Sequence, residues 1–298
     1  MKIDFQNFSI PYPLSIMRGR LRLCGVDGAK IESMISELSD ENQSKIWSEQ
    51  ELVSYIDKRL QTERPEIINS FNTVNAFENL RSLKEDIPPI IVVVEGASAT
   101  GKSMIALDIL HTIASTRFIS TDTIRLILRN MYPKEECPEL HCHTYQAFKY
   151  RQVGESDLRP MIRGYNAQSE LVSLPIIEMV KRIILEGTIA VIEGVHIQPG
   201  SMNDISKGVL EILINPNESM HEGMFASKST IGKLKSVSTD ENVRREEFIS
   251  ARMIQEHLVS LAVKNDVAII NLDDYEQAQQ EIYRLIVKKM NQLISSYI

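Results

Sequence analysis

The reading of the fold starts from Ile90-Ile91-Val92-Val93-Val94, followed one residue later by Gly96-Ala97-Ser98-Ala99-Thr100-Gly101-Lys102-Ser103. The first run is short, apolar and β-branched, as a strand covered on both faces should be. The second matches G-x-x-x-x-G-K-[ST], in which glycines let the backbone curl so that several N–H groups converge on a phosphate. In such a loop the lysine reaches the β and γ phosphates and the following hydroxyl ligates Mg²⁺. Ile105, Leu107, Ile109 and Leu110 continue at helical spacing, so the N-terminal dipole of a helix adds to the positive field. Strand, loop and helix in that order make the motif a phosphate cradle. The expected nucleotide contacts are Gly96, Ala97, Ser98, Ala99, Thr100, Gly101, Lys102, Ser103 and Met104, with ATP and Mg²⁺ as the ligands.

Outward from this stretch, short apolar runs alternate with amphipathic helices. Strands are expected at Ile90–Val94, Arg117–Ser120, Ile189–Ile192, Val209–Ile214 and Val267–Leu272, with helices such as Lys102–Ser115 and Ser169–Leu185 between them. Alternation of this kind implies an α/β class, here a three-layer P-loop NTPase fold with a mainly parallel five-stranded sheet over residues 87–298. Residues 1–86 read differently. Ile31, Met34, Ile35 and Leu38, and then Leu52, Tyr55, Ile56 and Leu60, repeat at helical spacing without a long β-like run, so this region is expected to be mostly helical. The charged stretch before Pro88-Pro89 marks the boundary.

Composition narrows the function classes. The 298 residues are 43% hydrophobic and 24% charged with a formal charge of −7, which argues against binding nucleic acid through broad electrostatic attraction. Cations for a phosphate ligand must therefore be gathered locally. No apolar run is long enough for a membrane span. Met1–Gln6 lacks a basic-then-apolar leader, and Cys24, Cys137 and Cys142 are too scattered for a disulfide framework. A cytoplasmic setting is the expectation, and a homo-oligomer is left open.

Several residues carry the chemistry. Asp122 ends the second strand region in Thr121-Asp122-Thr123-Ile124-Arg125. There it can orient or deprotonate an acceptor hydroxyl, or cap the helix that follows. Arg125 and Arg129 lie four apart on one face of that helix, where guanidinium forks suit a doubly charged oxyanion. Glu193 ends the third strand, the position where a carboxylate supports Mg²⁺ beside Ser103. Arg244 and Arg245 open a late helix and read as lid cations that close on the transferring group. Cys137, His141, Cys142 and His143 could suggest zinc, but adjacent ligands rarely converge on one ion and no second pair follows. A polar substrate loop that includes Tyr145 is the better reading.

Several segments, in order, resemble the archaeal 2-phosphoglycerate kinase family: Pro11–Leu21, the loop Gly96–Ser103, Thr121–Arg125, Thr144-Tyr145-Gln146-Ala147, Gly164–Gln168, Glu193-Gly194-Val195-His196-Ile197-Gln198-Pro199-Gly200, His221–Phe225 and Arg252–Gln255. The resemblance implies an ATP-cone-like N-terminal region and places His196 among the substrate-binding residues. It implies ATP-dependent phosphorylation of a hydroxyl on a small acid that already carries a phosphate. Mevalonate 3-phosphate, the acceptor of a 5-kinase, is the alternative to 2-phosphoglycerate. A nucleotide-dependent regulatory protein with no small-molecule acceptor is the alternative from another class.

Overall fold

The computed structural model describes residues 1–5, 8–40, 45–230, 238 and 240–297. The chain forms two compact units, one of Met1–Ile87 with Asp108–Ser115 and Gln280–Ile298, the other of Pro88–Leu107 with Thr116–Gln279.

The first unit contains β1 (Lys2–Phe5), β2 (Phe8–Pro11), α1 (Leu14–Leu23), α2 (Gly28–Asp40), β3 (Ile46–Trp47), α3 (Glu49–Leu60) and α4 (Pro65–Leu83). Its helices follow the apolar spacing read from the sequence. Met17, Leu21, Ile35, Leu38, Leu52, Ile56, Leu60, Phe71 and Phe77 are all fully buried. The α3 start is fixed by a capping box. Glu51 N–H donates to Ser48 Oγ at 3.2 Å and Ser48 N–H donates to Glu51 Oε2 at 2.8 Å, which satisfies two otherwise unpaired helix-end donors. A small sheet in the order β2-β1-β3 adds what helical periodicity did not show. β1 and β2 pair antiparallel with Ile3 opposite Ile10, and β1 pairs parallel with β3 through only two register positions. These strands are too short to reveal a period of two.

In the second unit the strands are β4 (Ile91–Glu95), β5 (Arg117–Ser120), β6 (Ala190–Gly194), β7 (Val209–Asn215) and β8 (Ala268–Asn271). The helices are α5 (Lys102–Thr112), α6 (Thr121–Met131), α7 (Pro160–Leu185), α8 (Glu218–Thr230), α9 (Glu241–Lys264) and α10 (Tyr275–Tyr297), of which α5 and α10 end within the first unit's ranges. All five strands run parallel in the order β5-β6-β4-β7-β8, the α/β class that the alternating pattern implies. Every residue of β4 and β6 is buried, which is why these strands read as continuous apolar runs. Ile91 and Val93 join Val172, Ile176 and Val180 of α7 in one core cluster, while Leu213 joins Phe248, Ile254 and Leu258 of α9 in another.

Register sets the place of the site. Val94 of β4 and Ser120 of β5 both lie opposite Glu193 of β6. The phosphate loop, Glu193 and the Thr121–Asp122 turn therefore leave neighbouring strands at their carboxyl ends, where open parallel sheets bind ligands. β4 itself ends on Glu95, which is fully buried. Burial, with the neighbouring Glu211 carboxylate acting the same way, drives its pKa well above the usual carboxylate range. Glu211 is spent on the loop after β6, accepting from Gly200 N–H at 2.8 Å and Met202 N–H at 2.9 Å.

Candidate active site

A cleft of about 420 Å³ lies over the loop, lined among others by Ser98, Lys102, Ser103, Asp122, Arg125, Thr144, Tyr145 and Lys228. The loop has the backbone its sequence requires. Gly101 has φ of 84°, and a Cβ there would stand 2.7 Å from the Tyr275 hydroxyl and from Leu272. Ala99, at φ of 68°, takes the left-handed conformation without glycine's freedom, a strain of order 1 kcal/mol in keeping with a cradle held in shape before its ligand arrives. Side chains of α8 and α9 hold the loop. Gln255 Oε1 accepts from Ala97 N–H at 2.9 Å, His221 Nε2 donates to Ser98 O at 2.8 Å, and Lys228 Nζ donates to Ser98 Oγ at 2.7 Å.

Ser103 Oγ donates to Glu193 Oε2 at 3.2 Å, and Lys102 Nζ stands 4.0 Å from the same oxygen. One hydroxyl and one carboxylate, both oxygen donors beside a phosphate loop, suit Mg²⁺, which keeps several waters and takes nucleotide phosphates as its other ligands. No cluster of three His, Cys, Asp or Glu side chains occurs among the described residues, so no all-protein cage for a metal is present there.

Opposite the loop, the cleft is lined from α6 and the segment 137–150, which contains two short 3₁₀ turns. Asp122 lies inside the first turn of α6, after Ser120 at the N-cap, and it does not cap the helix. Its side chain is 58% exposed to the cleft and pairs with Arg125 Nη2 at 3.3 Å. Enclosure works against its charge. The imidazole of His196 and the cations of Arg125, Lys102 and Lys228 outweigh that effect and hold its pKa below the usual carboxylate value. Arg125 also donates through Nη1 to Cys142 O. These contacts use two of the five guanidinium N–H donors, and of the remaining three the Nε–H is buried without a partner among the described residues. Tyr145 is buried, stacked on His143 with ring centroids 5.1 Å apart. Burial pushes its hydroxyl pKa up, so it stays protonated.

Four expected residues lie outside the lining of this cleft. His196 is fully buried behind the cleft wall and does not line it. Its ring faces Thr121, Gln168 and Thr144. Arg129, one turn along α6 from Arg125, is outside the lining. Arg244 and Arg245 lie in the first turns of α9, where Asp240 caps the helix, and neither lines the cleft. The late-helix cation that does line it is Lys228 of α8. Composition and spacing give no signal for Lys228; the resemblance does, because it leads one to expect a basic residue, arginine, at this place just after His221–Phe225.

A separate cleft of about 460 Å³ in the first unit is lined by Glu49, Asp57 and Glu78 against the one cation Arg20. Arg20 is itself committed to Glu78 and Asn75. A carboxylate surplus of this kind repels polyphosphate.

No model of a known protein family matches the chain. A protein of Methanopyrus kandleri named 2-phosphoglycerate kinase is 29% identical over 97% of this chain and 88% of its own. One of the same name from Methanothermobacter thermautotrophicus is 24% identical over 96% and 94%. Among solved structures, a putative kinase from Chloroflexus aurantiacus is 11% identical, covers 68% of this chain and 98% of its own, and has a TM-score of 0.44. A shikimate kinase from Bacteroides thetaiotaomicron is 13% identical, covers 69% and 98%, and has a TM-score of 0.38. Likeness at that level carries no argument, and the fold rests on the strand order and the loop. Over nearly its whole length, the chain is similar to archaeal proteins named 2-phosphoglycerate kinase, the family that its sequence segments resemble.

Proposed function

We propose that the chain is an ATP-dependent kinase that phosphorylates the free hydroxyl of a small acid already bearing a phosphate, with 2-phosphoglycerate as the first acceptor to test. The observation that carries this reading is the charge of the cleft. In a chain of net charge −7, Lys102, Arg125 and Lys228 meet across one pocket that has Asp122 as its lining carboxylate. Such a concentration suits a nucleotide together with a second polyanion. The relatives' name supplies the acceptor class.

The nucleotide phosphates lie on the N–H groups of the Gly96–Ser103 loop, with Lys102 on the β and γ groups. Mg²⁺, held by Ser103 and supported by Glu193, would neutralise phosphate charge as it does for phosphoryl transfer generally. Asp122, charged and open to the cleft, accepts the proton of the acceptor hydroxyl. The oxygen–phosphorus bond to the acceptor then forms as the bond to the β–γ bridging oxygen breaks, and that electron pair leaves with ADP. Arg125 offers its guanidinium to the acceptor's own phosphate or carboxylate. Lys228 balances charge on the transferring group from the α8 side. Positioning and electrostatics supply most of the acceleration.

An ADP-release screen of phosphorylated acids beside their unphosphorylated parents tests this. Turnover is expected with 2-phosphoglycerate, with mevalonate 3-phosphate as the comparison, and not with glycerate or mevalonate. Equal turnover with the parents would overturn the role given to the cations. ATP consumption independent of any acid would favour a regulatory protein. Lys102→Ala should abolish turnover while thermal melting is unchanged, and near-normal activity in that variant would remove the loop from the mechanism.

A further inference from the structure

The loop after β6 brings one side chain into contact with the two walls of the acceptor side without reaching the cleft. We infer that His196 is a positioning residue whose neutral ring, protonated at Nε2, ties the Asp122 end of α6 to the segment 139–144; as a role in turnover this rests on the kinase reading above.

The protonation state follows from a chain of hydrogen bonds. Gln168 of α7 is fully buried, and its Nε2 donates to Glu139 O and, at 3.3 Å, to Cys142 O. Two carbonyl partners can only accept, so the amide nitrogen faces them and Oε1 points the other way as an acceptor. Oε1 takes the Thr144 hydroxyl at 2.7 Å and stands 2.9 Å from His196 Nε2. His196 Nε2 must therefore carry a proton. In a neutral imidazole Nδ1 is then an acceptor, and the Thr121 hydroxyl, 2.8 Å away, donates to it. Burial, reinforced by the charges of Arg125 and Lys102 and opposed by Asp122, pushes the ring pKa down to about 3, in agreement with a neutral ring.

Each partner leads to a cleft residue. Thr121 is bonded to Asp122 in the chain. Thr144 lines the cleft. Cys142 O, which Gln168 holds, is also the acceptor for Arg125 Nη1. The proton acceptor, the substrate-facing guanidinium and the loop opposite them thus share one hub. Gly194 makes it reachable. At φ of 153° it lets the end of β6 pass so close to Thr121 that a Cβ would collide with the threonine side chain. That accounts for glycine two residues before the histidine, in a run that a phosphate loop by itself does not need.

Two measurements test the hub. Nitrogen-15 NMR of the free protein should show His196 with Nε2 protonated and Nδ1 bare, unchanged between pH 5 and 8. A ring protonated at Nδ1, or one that titrates in that range, would overturn the proposal whatever the enzyme's substrate. Kinetically, His196→Phe should lower kcat by roughly 10–100-fold and raise KM for the acid, as misplacement of reacting groups does, while affinity for ATP measured by calorimetry stays within about twofold. His196→Asn, which can still accept from Thr121, should recover part of kcat. Parallel loss of ATP affinity and kcat, or no kinetic change, would reduce His196 to a packing residue. Should His196→Phe fail to fold, Thr121→Val removes the same donor with little change of shape and should give the same split. An absence of transfer to every phosphorylated acid by the unmodified chain would sink the kinase reading alone, since the NMR result stands apart from it.

Discussion

Lys228 gives the cleft a pH dependence that can be worked from its surroundings. Its Nζ is 2.7 Å from Ser98 Oγ. Burial, then the Lys102 ammonium, push its pKa down from 10.5 to about 8, against the opposing pull of Asp122 and Glu193. If its charge is needed on the transferring group, kcat/KM for the acid at subsaturating ATP follows the protonated fraction of the free enzyme. That fraction is about 90% at pH 7 and about 10% at pH 9, so kcat/KM should fall roughly tenfold across the interval. An ADP-coupled assay at low acid and subsaturating ATP concentrations from pH 6.5 to 9.5 reads this directly. Lys228→Arg keeps a charge that does not titrate there and should remove the alkaline decline. Lys228→Met should remove the decline too and lower the plateau, by roughly 10–100-fold for one charge-assisted hydrogen bond of about 1.5–3 kcal/mol. Stability runs the other way. A lysine held below its unfolded pKa carries its destabilisation fully below about pH 8 and sheds it as pH rises towards 10.5, so this group cannot cause an alkaline loss of activity by unfolding the chain. A flat profile to pH 9.5 in the unmodified enzyme, or a decline that persists in Lys228→Arg, would refute the reasoning.

Other outcomes follow from the same geometry. Asp122→Asn should lower kcat by about 10²–10⁴-fold with little change in KM for ATP, and an unchanged kcat would leave Asp122 only its ion pair with Arg125. Glu95, buried with a raised pKa, contributes stability that is full below the unfolded carboxylate range and is lost as pH rises through its folded value. Glu95→Gln should therefore raise Tm more at pH 8 than at pH 4.5, and an equal or opposite shift in melting curves would show that Glu95 is not held neutral.

Much of the catalytic unit was legible because its determinants are local. The buried strand Ile91–Glu95, the loop glycines and the start of α5 each need particular residue types at fixed spacing, and Asp122 and Glu193 were found because an acid at the end of an apolar run is unusual. His196 was legible as a residue of note but not as one buried outside the cleft lining. Its partners come from α6, α7 and the segment 139–144, and only the packed fold brings these together. Arg244 and Arg245 show the opposite limit. Paired arginines at a helix start fit a lid in sequence; in the structure neither lines the cleft, and Lys228 of α8 joins Lys102 and Arg125 there. The antiparallel pairing of β1 and β2 was hidden because four residues per strand give too little alternation to register against the helices around it.

The central claim, transfer of a phosphate to an already phosphorylated acid, is tested most directly by phosphorus-31 NMR of the products formed from ATP, Mg²⁺ and 2-phosphoglycerate. The account predicts ADP together with an equal amount of a glycerate carrying phosphate on both oxygens, and none with Lys102→Ala. ADP accompanied by inorganic phosphate alone, with the phosphoglycerate signal unchanged, would contradict it.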